Sequence, residues 1–94
     1  MAFSSLSDQV GEIDSEKQWV NDIPPDIVLH MSEELGEISR QILKLSGYKK
    51  EEFDKQNLAN EVVDLIYLAI KLSNVMEIDL DRSWNEMKQR YSKK

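Results

Sequence analysis

From about Asn57 to Met76 the chain is apolar around most of a helix circumference, yet two acids sit inside that stretch. It reads Glu61-Val-Val-Asp64-Leu-Ile-Tyr-Leu-Ala-Ile70. A helix of this kind is buried on more than one side, so it belongs at the centre of the fold. A carboxylate in mid-helix is a poor helix former, and it is costly to bury unless paired or bound to a cation. Neighbours must therefore pack around this segment, and something must answer its charge.

Three other helices supply the neighbours. Leu6, Val10, Ile13 and Val20 recur at the offsets of one helical face, with Ser5 or Ser7 as the expected cap and Pro24-Pro25 as the expected stop. A second helix is expected from Asp26 to Leu45, with Ile27, Met31, Leu35, Ile38, Ile42 and Leu45 as its apolar stripe and Gly47 as its terminator. Residues Tyr48 to Gln56 read as a polar loop containing a short helical turn. Asp79 caps a fourth helix that presents Leu80, Trp84, Met87 and Tyr91. No sustained alternation and no hairpin turn signals a strand. The expectation is an all-α fold, a bundle of about four helices per chain that is completed by oligomerisation.

Ninety-four residues make one small domain whose core is limited, so a second copy would add needed buried surface. The chain has no cysteine, which excludes disulfides and thiolate metal sites and fits a reduced, cytoplasmic setting. No leader and no membrane span is expected. A net charge of −6 argues against nucleic acid as a partner. A nucleotide ligand stays compatible, because bound cations reverse the local field.

The chemistry is concentrated in carboxylates. Glu33, Glu34 and Glu37 lie on the second helix, Glu61 and Asp64 on the third, and acids three or four apart share a helix face. Glu34 falls at the edge of the apolar stripe with Glu37 on the same side, whereas Glu33 points away. Two explanations fit. Hard divalent cations such as Mg²⁺ would neutralise such a cluster, or Arg40, Lys44 and Lys71 would pair with it in an ion network while the first cluster forms a solvated face. The lone His30 reads as a boundary residue, since a di-iron bundle requires Glu-x-x-His on two helices. Trp19, Tyr67 and Trp84 read as core or interface aromatics, one of which could stack on a base. Nothing supports a nucleophilic triad, and Gly36 and Gly47 form no phosphate loop.

Glu33-Glu34-Leu35-Gly36-Glu37 followed by Glu61-Val-Val-Asp64 resembles the EExxE…ExxD signature of the MazG-like all-α nucleotide pyrophosphohydrolases. The similarity continues through Leu-Ile-Tyr-Leu-Ala-Ile-Lys71-Leu to Ile78-Asp79-Leu80 and covers about Ile27 to Tyr91. It implies Mg²⁺-dependent hydrolysis of nucleoside triphosphates between the α and β phosphates, with Mn²⁺ as an alternative ion. It also implies assembly as a homodimer or homotetramer. Glu34, Glu37, Glu61 and Asp64 would be the metal ligands, Glu33 and Glu34 the catalytic carboxylates, and Lys71, Lys88 and Arg90 the substrate-binding residues. The tail departs from the Lys…Asn…Arg-Tyr pattern, reading Glu86-Met87-Lys88-Gln89-Arg90-Tyr91. Phosphoribosyl-ATP pyrophosphohydrolase of histidine synthesis is similar in fold and motif and stands second. It is set behind by the EELGE form of the first motif and by the missing Tyr-His pair. A non-catalytic acidic helical interaction module stands third.

Overall fold

The computed structural model describes residues 2–48 and 51–92, and these form four helices: α1 (Phe3–Lys17), α2 (Pro24–Leu45), α3 (Lys55–Val75) and α4 (Leu80–Ser92). No strand occurs among the described residues. The all-α expectation holds. So does the central place of the third helix, because α3 packs against both α2 and α1, while α4 packs on α1. Among the described residues the fully buried apolar side chains are few, namely Val10 of α1, Ile27 of α2 and Ile70 of α3. The bundle is open, since α2 and α4 share no packed face.

The element ends correct the sequence reading in two places. α1 stops at Lys17, where Gln18 turns left-handed with φ 59°, and Val20 lies outside the helix and exposed. Pro24 and Pro25 begin α2 instead of ending α1. A proline's missing N–H is harmless in the first turn, and Ile23 before the pair is extended as proline demands. Neither Ser5 nor Ser7 caps α1; its first amides are held by Asp81 of α4, with Phe3 N–H donating to Oδ1 at 2.7 Å and Ser4 N–H to Oδ2 at 3.3 Å.

Gly47 and Asp79 mark helix ends as expected, and α3 starts two residues ahead of the expected Asn57. Gly47, at φ 80°, closes α2 as Tyr48 N–H reaches back to the Leu43 carbonyl at 3.0 Å. Asp54 caps α3 by accepting from the amides of Gln56 and Asn57, and Asp79 caps α4 through Arg82 N–H at 3.1 Å. Of the turn expected between Tyr48 and Gln56, positions 49 and 50 lie outside the described residues, and 51–54 are not helical.

Candidate active site

The packing of α2 against α3 turns two sequence motifs into one electrostatic group. Glu34 is half-buried, and its carboxyl is pushed above the ordinary carboxylate range first by that burial and then by the negative charges of Asp64, Glu61, Glu37 and Glu33. All five acids thus act on one point, and residues from both helices contribute. Among the described residues the ion-pair explanation finds no support. Lys44 pairs with Glu51 at 3.2 Å, Lys71 pairs elsewhere, and none of the ion pairs among the described residues involves any of the five. Asp64 is exposed in the single chain, not buried as its apolar surroundings suggested, and it lines a cavity together with Glu33 and Glu34.

One oxygen of Glu61 is shut off from solvent and has no hydrogen-bond partner. A buried acceptor in that condition is unfavourable unless a donor or a cation reaches it. Hard carboxylate oxygens are the donor set that Mg²⁺ and Mn²⁺ prefer, and Mg²⁺ commonly keeps several waters while taking only one or two carboxylates. The residues therefore fit such an ion. They do not form a finished cage, because among the described residues no three His, Asp or Glu side chains converge on a common point.

Beside the acids lies a cavity of about 480 Å³, lined by Glu33, Glu34 and Asp64 on its polar side and by Ile13, Trp19, Val63, Tyr67 and Leu68 on its apolar side, with His30 completing it. It joins a planar aromatic wall to a carboxylate group, and its size suits a small ligand. His30 is therefore more than a boundary residue in position: it lines the cavity one turn ahead of Glu34.

Residues 7–91 match the sequence family described as phosphoribosyl-ATP pyrophosphohydrolase. The chain belongs to this family. It is thereby a pyrophosphohydrolase of the MazG-like all-α superfamily. Among solved structures it is similar to YpjD from Bacillus subtilis, described as a candidate pyrophosphatase, with a TM-score of 0.86 and 18% identity over 99% of this chain and 97% of that one. At that identity the likeness concerns the fold. No curated protein matches the chain.

The three basic residues expected to bind substrate in this pyrophosphohydrolase have other places. Lys88 and Arg90 lie on α4, which packs on α1, and Arg90 sits 5.9 Å from the ring centre of Tyr91. Lys71 is buried, and its ammonium is engaged by Asp14, Asp22 and the Trp19 carbonyl. Sequence reasoning missed Asp14 and Asp22. Both come from outside the motif region, and nothing in a linear reading places them against α3. The buried Asp14 had one signal, an acid in the middle of the apolar face that Val10 and Ile13 define.

Proposed function

We propose that this chain is a Mg²⁺-dependent nucleoside triphosphate pyrophosphohydrolase that converts an NTP or dNTP to the monophosphate and pyrophosphate, acting as a cytoplasmic homo-oligomer. The observation that carries this reading is that Glu33, Glu34 and Asp64 line an aromatic-walled cavity while the charges of Glu37 and Glu61 also act on Glu34, with none of the five in an ion pair among the described residues. Such a group repels a polyanionic substrate by itself, so its use on a triphosphate requires cations.

Glu34, Glu37, Glu61 and Asp64 would hold Mg²⁺, or Mn²⁺ in its place. The bound ion supplies positive charge at the phosphate oxygens and acidifies an attacking water. Glu33, on the cavity lining and outside the ligand set, accepts the proton as that water adds at the α phosphorus. The bond from the α phosphorus to the bridging oxygen breaks, and pyrophosphate departs with the electron pair. Trp19 and Tyr67 offer ring faces to the base, and Ile13, Val63 and Leu68 keep water from that end. No covalent intermediate is needed.

A second reading has its own support, since the matching family is described by phosphoribosyl-ATP. One panel decides between them. Purified protein with Mg²⁺ is given NTPs, dNTPs and phosphoribosyl-ATP in ¹⁸O-water, and products are read by chromatography and mass spectrometry. The expected result is monophosphate carrying the label, unlabelled pyrophosphate, and no turnover by the Asp64→Asn protein. Nucleoside diphosphate and orthophosphate as products would overturn the reaction, as would label found in pyrophosphate alone. Turnover confined to phosphoribosyl-ATP would establish the second reading. No turnover of any compound would leave an acidic interaction module.

A further inference from the structure

Lys71 occupies an unusual position for a cation. Its side chain is 4% exposed, and its ammonium donates to three acceptors that all lie on α1 or on the segment that follows it. These are Asp22 Oδ2 at 2.5 Å, the Trp19 carbonyl at 3.2 Å and Asp14 Oδ1 at 3.4 Å. An ammonium has three donors, so none is left for a phosphate. One turn earlier on α3, the Tyr67 hydroxyl donates to the same oxygen of Asp14. The same ammonium lies 5.8 Å from the ring centres of both Trp19 and Tyr67, within cation–π range. Those two rings form the aromatic wall of the cavity at Glu33, Glu34 and Asp64.

Trp19 follows α1 in an exposed connection with no helix of its own to hold it. Its carbonyl is fixed by Lys71, and its amide is fixed by the Asp14 carbonyl at 2.8 Å. Tyr67 is fixed through its hydroxyl to Asp14, which Lys71 also grips. One buried cation thus sets where both rings stand relative to the carboxylates on α2 and α3. We propose that Lys71, held by Asp14 and Asp22, is a positioning residue that sets the stance of Trp19 and Tyr67 for the nucleobase and makes no contact with phosphate. The proposal rests on the reading of this cavity as the base site of the pyrophosphohydrolase.

Asp22 provides the mildest perturbation, because its side chain is 47% exposed and its loss removes the shortest contact to Lys71. The test compares the parent with Asp22→Ala and Lys71→Met, all carrying Trp84→Phe so that emission reports Trp19 alone. Kinetics are run on nucleoside triphosphates and on inorganic tripolyphosphate, which has no base. Binding is read separately, without metal, as quenching of Trp19 by the uncharged nucleosides adenosine, guanosine, cytidine and uridine. Asp22→Ala is expected to raise KM for the nucleoside triphosphate about tenfold at nearly unchanged kcat, as loss of uniform binding requires. It should weaken quenching by a similar factor and leave tripolyphosphate hydrolysis unaffected.

Three results would overturn the proposal. One is an equal loss on tripolyphosphate, which would make Lys71 a phosphate contact. Another is a lower melting temperature with KM and quenching unchanged, which would make the cluster a helix fastener only. The third is a parent that no nucleoside quenches. If the parent hydrolyses no triphosphate, the reaction assignment fails on its own; quenching in the parent that is lost in Asp22→Ala would still support Lys71 as the residue that sets the rings. Should Lys71→Met not fold, Asp22→Ala carries the test alone.

Discussion

Glu34 is the residue on which the charge balance of the site turns. Burial and four neighbouring acids hold its carboxyl above its ordinary value of 4.5, so the folded chain binds that proton more tightly than the unfolded chain. The associated stability is fully present below the unfolded value and is lost as pH rises through the folded one. At neutral pH without metal, Glu34 therefore opposes folding. Glu34→Gln is expected to melt above the parent at pH 7 in chelator, with the difference closing as pH falls below 4.5. Excess Mg²⁺ should reverse the order. At about 100 times its dissociation constant an ion that binds only the folded form stabilises by about 2.7 kcal/mol, and the Glu34→Gln variant would forfeit much of that. Thermal melts across this pH range, with and without Mg²⁺, read both effects. If the Glu34→Gln variant instead melts lower in chelator at neutral pH, Glu34 is a structural acceptor. The acids were legible in the sequence because they interrupt an apolar helix at helical spacing. Lys71 was legible only as a cation near them, because its partners Asp14 and Asp22 stand 57 and 49 positions earlier in the chain. Periodicity fixes faces within a helix and carries no register between helices.

At the scale of elements, α1 is the piece whose placement depends on side chains from elsewhere. Phe3 meets Trp84 with ring centres 5.6 Å apart, the Asn74 amide donates to the Ser7 carbonyl at 3.0 Å, and Asp14 takes Lys71 at the far end. Asp81 serves two helices at once, lying in the first turn of α4 while accepting from the first amides of α1. Both N-termini carry partial positive charge, which one carboxylate answers. Asp81→Ala should cost about 1–2 kcal/mol of unfolding free energy. It should also speed hydrogen exchange in α1 more than in α2 or α3. Equal acceleration everywhere would mean that α1 does not open separately. The helices themselves were readable from apolar spacing, and Asp54, Asp79 and Gly47 mark their ends by local chemistry. The end of α1 was not, because a proline pair is both a barrier to the helix before it and a favoured start for the one after it. Only the structure shows that the second role operates here, with a left-handed Gln18 having already ended α1. The cap of α1 was hidden for a different reason: the serines at its start are local, and the acceptor that holds it comes from the other end of the chain.

The single chain is open for its length. Its radius of gyration is 15.9 Å, against about 12 Å for a compact chain of this length. Its accessible surface is 7418 Å², against roughly 5,600 Å² for a compact monomer of this mass. The excess, roughly 1,800 Å², is about twice what each partner buries in a standard interface. Much of it is apolar and lies on the two helices that carry the acids. Val28, Met31 and Leu35 of α2 and Leu65, Ala69 and Leu72 of α3 line one continuous groove, with Leu35 56% exposed. Patches of this kind mark contact sites in folded proteins. A second copy laid on this groove would cover the apolar side of α2 and α3. The protein, at 11.0 kDa per chain, is therefore expected to sediment as a dimer or tetramer at micromolar concentration. Val28→Glu combined with Leu35→Glu should shift it toward monomer, lower its melting temperature and weaken the dependence of that temperature on concentration that an associating parent shows. Turnover should fall along with assembly, because α2 and α3, which carry all five acids, lose the cover that fixes their packing. A cooperative, well-folded monomer of the unmodified chain would overturn this expectation, and so would full activity in a double variant shown to be monomeric.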